Sequence, residues 1–294
     1  MDRRTRAGLL LAFLGVAAFS LTLPMSRVAL EGLSAPQIAV WRAIVAAAAA
    51  AAILAALRPP PPRGRQWYRL LMCAGGVVFG FPVFTTLAME TVTAAHGAVV
   101  VGLLALGTAI VGAAIGGERP SPAFWAVAAL GTGLTVLFVL RQSSAAGTAD
   151  AGLAVGHLHL ALAVATASIG YAHGGLLARS LPGWSVACWS LVVSLPVLVL
   201  AAAFVPPPSP AAEGRVLGAF AYLALVSQLG GFFFWYRGLA MAGIARASQV
   251  QLLQLFMTLA AAFLLFGEPF DPEAVVFGAL VVATVAIGTR LRAR

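Results

Sequence analysis

The residues able to do chemistry in this chain are few, mostly uncharged, and embedded in long apolar runs. Gln251, Gln254 and Thr258 fall at i, i+3 and i+7, which puts them on one face of a helix. An amide both donates and accepts, so such a face suits a neutral or zwitterionic polar solute. It equally suits hydrogen bonding to a neighbouring helix. Thr166, Gly170 and His173 share a face in an earlier run, with Tyr171 beside them, and His96 stands about one turn inside another. A histidine so placed binds solute or passes protons near neutral pH, or it is neutral and bonded to a backbone carbonyl. Neither histidine has the neighbours of a metal site.

Two further runs are marked by glycine and aromatics. One holds Gly75, Gly76, Phe79, Gly80, Pro82 and Thr85; the other holds Gln228, Gly230, Gly231, Phe232 to Phe234, Trp235 and Tyr236. Pro82 lacks a backbone N–H, so a bend and a freed carbonyl are expected there. The pair at Gly230 lets the backbone unwind beside a ligand. Gly76-x-x-x-Gly80 and Gly112-x-x-x-Gly116 read first as packing motifs. The aromatic residues either wall a cavity for a ring-bearing solute or face lipid. Phe79, Pro82, Thr85, His96, Tyr171, His173, Gln228, Trp235, Gln251 and Gln254, with Ser20 and Pro24 of the first run, form the candidate lining of a solute cavity.

What is missing narrows the chemistry. Glu31, Glu90, Glu118, Asp150, Glu213, Glu268, Asp271 and Glu273 all lie in breaks or at helix ends, and Asp2 is in the tail. Exchange of protons for organic cations commonly needs a buried acid whose affinity the membrane can shift. Its absence favours movement down the solute gradient, with proton-coupled drug or metabolite antiport as the alternative. No nucleophile–base spacing, Walker sequence or glycine-rich phosphate loop is present, so an intramembrane enzyme is disfavoured and no cofactor or metal is expected.

The elements that must position these residues follow from composition. Of 294 residues 61% are hydrophobic and 9% charged, against about 25% charged in soluble domains. That is too little charge to coat a water-facing surface. A soluble enzyme, a disordered chain and a nucleic-acid-binding domain are excluded despite the formal charge of +9; an all-α polytopic membrane protein is left. The 18 basic residues are all arginine and sit in short breaks, not in a basic cluster. Cys73 and Cys188 lie far apart in apolar runs and read as buried reduced thiols.

A spanning helix needs roughly 20 mainly apolar residues. Such runs cover 8–27, 38–57, 67–89, 93–115 and 123–140, then 156–178, 184–205, 216–236, 247–266 and 274–289. Pro59 to Pro62, Pro206 to Pro208 and Pro210 stop helices between them. Arg3, Arg4 and Arg6 before an apolar stretch with small residues at 16–19 also have the look of a secretory leader. The full length of the run and its internal counterpart favour a retained span. With a cytoplasmic N-terminus 14 arginines fall inside, leaving Arg27, Arg42, Arg141 and Arg215 outside. The reverse orientation breaks the positive-inside rule, and dropping a middle span moves six arginines outward. Ten transmembrane helices with both termini cytoplasmic satisfy it.

The two five-helix halves resemble each other. Residues 33–45 (LSAPQIAVWRAIV) align with 181–193 (LPGWSVACWSLVV), setting Trp41 against Trp189 and Ser20 against Ser168. LAMETVTAA at 87–95 matches LAMAGIARA at 239–247, and Gly117-Glu118 matches Gly267-Glu268. Because each unit has five spans, the second is inverted relative to the first, an architecture of secondary transporters. The expected domains are 8–140 and 156–289, joined by an extracytoplasmic linker at 141–155.

With its ten spans, its two halves, the Gly-Glu after the fourth span of each half and the Ala-rich starts at 93–99 and 245–251, the chain resembles the EamA-type branch of the drug/metabolite transporter superfamily. The family often carries a proline within helices four and nine; here Leu106 and Phe256 occupy that region, so that hinge is not expected. The resemblance implies export of small organic metabolites, often amino acids, across a bacterial inner membrane by alternating access, with no enzyme activity. The aromatic residues point to aromatic solutes. The expected partners are a small-molecule substrate and membrane lipids, with no nucleic acid, and the chain is expected to work as a monomer.

Overall fold

A computed structural model describes residues 1–91, 94–145, 151–266 and 272–291. Among them lie ten helical segments, α1 (Arg3–Leu30), α2 (Ala35–Leu57), α3 (Arg65–Thr91), α4 (Ala94–Gly116), α5 (Pro122–Ala145), α6 (Ala151–Leu177), α7 (Gly183–Ala202), α8 (Gly214–Ala242), α9 (residues 244–266) and α10 (Pro272–Gly288). Six of them, α1, α2, α3, α6, α7 and α8, are long and apolar enough to cross a membrane; Leu103–Gly116, Pro122–Phe138 and Val275–Gly288 are shorter apolar stretches.

Local chemistry sets the ends. Ser34 and Gln37 form a reciprocal capping box at the start of α2, with Pro36 in the first turn. At its other end Arg58 turns left-handed before the proline run. The polar break expected near 237–246 shrinks to one residue. Gly243, at φ 88°, lets α8 stop and α9 start at once, a backbone conformation that side chains with a Cβ resist.

Each helix of the first five packs antiparallel on one of the last five: α1 on α8, α3 on α6, α2 on α7, α4 on α9, α5 on α10. The registers run oppositely along α1–α8, α3–α6 and α5–α10. Gly8 meets Ala242 while Gly15 meets Trp235, and Gly80 meets Thr166 while Gly76 meets Gly170. Gly112 lies on Ile244, and Gly131 on Thr284 with Phe138 on Phe277. Raising or lowering every helix number by five maps this pairing onto itself.

The two inner crossings are made by small residues. A Cβ on Gly238 would sit 2.6 Å from the Ala12 nitrogen, and one on Gly76 would strike the Thr166 carbonyl. Such contact lets backbones approach where hydrophobic exclusion between helices gives no drive. The exchange-related helices α3 and α8 also share a distortion. Gly75–Gly80 and Tyr222–Gly230 are wound as π-helix, a widened turn frequent at functional sites.

Candidate functional site

The site begins where α1 breaks. Pro24 has no N–H for the carbonyl of Ser20 four residues back, and α1 is interrupted at Leu21 (φ −88°, ψ 0°). Three successive carbonyls before the break accept hydrogen bonds from other helices. Tyr222 Oη donates to Ala18 O at 2.7 Å, Gln254 Nε2 to Phe19 O at 3.2 Å, and Thr258 Oγ1 to Ser20 O. Just past the break Thr22 and Ser227 hydroxyls lie 2.8 Å apart. In α3, Pro82 cannot close the five-residue turn on Val77 O, and Gln228 Nε2 donates there instead at 3.0 Å. Proline thus opens the backbone, and a hydroxyl and an amide from the opposite half fill it.

Between these two openings lies a central cavity. Its walls are Phe19 and Thr22 of α1, Arg42 of α2, Val77 and Phe81 of α3, Tyr171 of α6, Ser227, Gln228 and Phe232 of α8, and Gln254 of α9. Its volume, about 20 Å³, admits one water and no organic solute. In this conformation the centre is therefore nearly filled, and a solute enters only when helices part. Tyr171 packs 5.8 Å from Phe232 and 5.4 Å from Trp235, ring centre to ring centre, so Trp235 forms a second aromatic layer behind the wall.

Arg42 is the one charged residue among those walls, and spacing did not single it out. Counted above with the outer arginines, it lies seven residues into α2, about 10 Å from its start, and is 1% exposed. Taking it from the outer group leaves that side with Arg27, Arg141 and Arg215. Its Nε and Nη1 are enclosed and hydrogen-bond nothing. On the mildest scale an arginine costs roughly 2.5–3.5 kcal/mol at a helix centre, and less toward the ends, where Arg42 lies about a third of the way along α2. Glu31 pairs with Arg215, Glu118 with Arg179 and Glu273 with Arg141, and among the described residues no carboxylate lines the cavity. The legible signal was a single charge inside IAVWRAIVAAAA, flanked by apolar residues on both sides.

The sequence candidates are distributed as follows. Tyr171, Gln228 and Gln254 line the cavity. Pro24 and Pro82 shape it through the backbone. Ser20 and Thr85 turn back on their own helices, donating to Ala17 O and Phe81 O, and Phe79 packs against the apolar core. His173 lies away from the cavity, edge-on to Tyr68. Gln251 is fully buried, off the cavity, with both amide atoms unpartnered. His96 sits in a stretch of α4 whose side chains lie outside the described residues, as do Gly267, Glu268, Asp271 and Asp150.

One end of the bundle is held by a carboxylate. Glu118 accepts from the N–H groups of Ile244 and Ala245 at 2.8 and 2.9 Å and pairs with Arg179. It caps α9 while tying it to α4 and to the end of α6. Gly8 meets Ala242 here, and Arg246 donates to Leu291 O, so both chain ends gather at this end. A larger hollow of about 820 Å³ lies nearby, between α1, α2, α8 and the turn into α7. It contains none of the sequence candidates, and Leu57 and Phe234 in its wall are exposed.

Apolar helices long enough to cross a bilayer, packed in exchange-related pairs around a polar pocket, define a multi-pass membrane transporter. The chain belongs to the EamA-like transporter family, which matches it twice, over residues 6–140 and 154–289. Its relative in Bacillus subtilis (strain 168), described as the uncharacterized transporter YdeK, is 38% identical over 288 residues, spanning 98% of both chains. A solved crystal structure 19% identical shares the fold, with a TM-score of 0.79 over 97% of this chain and 99% of that one.

Proposed function

We propose that this transporter exports small organic metabolites, amino acids among them and aromatic ones first, across a bacterial inner membrane. The observation that carries the reading is the central polar pocket, built from both matched halves and walled by Phe19, Phe81, Tyr171 and Phe232. Two inverted five-helix units, 8–140 and 156–289 with an outer linker at 141–155, rock about it and open it to each side in turn. The exchange-symmetric helix pairing and the twofold family match support that relation. Ten crossings with both termini cytoplasmic agree with the antiparallel pairs, each of which joins an odd to an even helix, and with the arginine balance. The chain works as a monomer and carries out no covalent chemistry.

Flux is facilitative, driven by the solute gradient. Protein reconstituted in liposomes and loaded with amino acids or with cationic drugs tests this, with and without an imposed pH gradient. Amino-acid efflux that persists after the pH gradient is collapsed is expected. Efflux that stops on collapse establishes proton coupling instead, and a vesicle that moves none of the panel removes the exporter reading.

A further inference from the structure

We infer that Arg42 is the anion receptor of the pocket and that the solute it recognises carries a carboxylate. The inference rests on the exporter reading for its cargo and adds the chemical group by which that cargo is held.

The guanidinium is an unanswered charge. It is enclosed, it lines the cavity, and two of its nitrogens lack any hydrogen-bond partner. Buried polar groups are almost always paired, and here the unpaired group is a full charge facing a cavity, where a partner can come and go. No neighbouring acceptor is bonded to either nitrogen. The donors beside it are already used: Gln228 and Gln254 spend their Nε2 groups on Val77 O and Phe19 O, and the Thr22 and Ser227 hydroxyls bond each other. What the pocket offers a ligand is therefore a planar cation with free N–H groups, a geometry matched to a carboxylate.

The architecture itself does not demand this charge. Under the repeat, Trp41-Arg42 corresponds to Trp189-Ser190. Ser190 donates to Val186 O, and its hydroxyl lies 3.3 Å from Cys73 Sγ, which is 3.0 Å from Tyr236 Oη, all buried and uncharged. The same place in the fold is thus satisfied without a cation in one half and left open with one in the other. An ammonium group finds no counter-charge: among the described residues the pocket holds no acid, and the carbonyls of Phe19 and Val77 already accept side-chain hydrogen bonds. The anion is required of the solute and the amine is not. Organic monocarboxylates with an apolar or aromatic body fit best, zwitterionic amino acids fit through their carboxylate, and cations are repelled.

The test compares one skeleton in four charge states. Purified protein in detergent is titrated with 3-phenylpropionate, phenylalanine, 3-phenylpropanamide and phenethylamine, and binding is read by thermal shift; a parallel series uses 4-methylpentanoate, leucine and 4-methylpentanamide. The carboxylates are expected to bind at least tenfold tighter than the amide and the amine. Arg42→Gln should lose that preference, and Arg42→Lys should restore part of it. If neither series favours carboxylate over amide in the wild-type protein, the inference is overturned, whatever the variants do. It is also overturned if Arg42→Gln, eluting and melting as wild type, keeps full carboxylate affinity. The same compounds in the liposome assay separate the two readings. Carboxylate binding without flux overturns the exporter and leaves the receptor, while flux indifferent to carboxylate or to Arg42 does the reverse.

Discussion

At the scale of single residues, the two glutamines of the polar face in α9 part company. Gln254 lines the pocket and holds the Phe19 carbonyl beside the break in α1. Gln254→Ala leaves that carbonyl unpartnered, a loss of about 1–3 kcal/mol, and is expected to lower liposome flux at least fivefold while membrane delivery changes little. Gln251 is buried with both amide atoms unsatisfied and stands off the pocket. Gln251→Leu removes a desolvated amide at similar volume, so the melting temperature should hold or rise by a few degrees with flux intact. A large loss of flux in Gln251→Leu with unchanged melting would return that residue to the solute path. Much of this site was legible: amides in an apolar run must find partners, and Gln228, Gln254 and Tyr171 do meet at one cavity. Arg42 was not singled out, because a charge near a helix end reads as a snorkelling end residue unless its depth is known. Nor could spacing show that the Thr85 and Ser20 hydroxyls turn back on their own helices.

At the scale of helices, glycine and proline divide the work. Glycine brings α3 and α6 into contact: a Cβ on Gly76 would lie 2.7 Å from Gly170 Cα as well as on the Thr166 carbonyl, and backbone cannot move aside. Gly76→Ala is therefore expected to lose roughly 1–3 kcal/mol, seen as a fall in melting temperature and in monodisperse yield. Its neighbour provides the control, since a Cβ on Gly75 meets nothing within 4 Å. Gly75→Ala should be neutral or slightly stabilising; equal damage by both would mean that the π-wound turn itself, not the crossing, rejects the methyl group. The Gly-x-x-x-Gly spacing made this crossing legible. The π-turn at Gly75–Gly80 and the break at Leu21 were not, because there tertiary donors answer carbonyls that Pro82 and Pro24 leave open; the π-turn at Tyr222–Gly230 lies in a helix without proline and no such cause accounts for it. Helix ends moved for a similar reason: α1 and α8 run on beyond their most apolar stretches because they pack on each other along their length.

At the scale of the molecule, the pairing that survives exchange of its halves carries one charge that does not. Ser190 occupies the place that Arg42 holds in the other half, so the pocket is electrically asymmetric inside a symmetric frame. An empty carrier that reorients must move that cation through the membrane interior unpaired, whereas a carrier holding a carboxylate moves a neutral pair. The barrier is lower for the loaded form, since burying a lone charge costs far more than burying a hydrogen-bonded ion pair. Exchange of inner for outer solute should then outrun net efflux several-fold, and an imposed membrane potential should alter net efflux while leaving exchange unchanged. Radiolabelled 3-phenylpropionate, which makes the loaded carrier neutral, reads both rates in liposomes, with valinomycin and a potassium gradient setting the potential. The Glu118 clamp makes the movement visible independently, because it ties α9 to α4 and α6 at one end. Glu118→Gln should release that end and raise the labelling rate of a cysteine placed at Ala247, fully buried on α9 near the clamp. Exchange and net efflux of equal rate, both insensitive to potential, would mean that the cation does not cross the field with the moving half. The asymmetry at Arg42 would then belong to binding alone and not to the transport cycle.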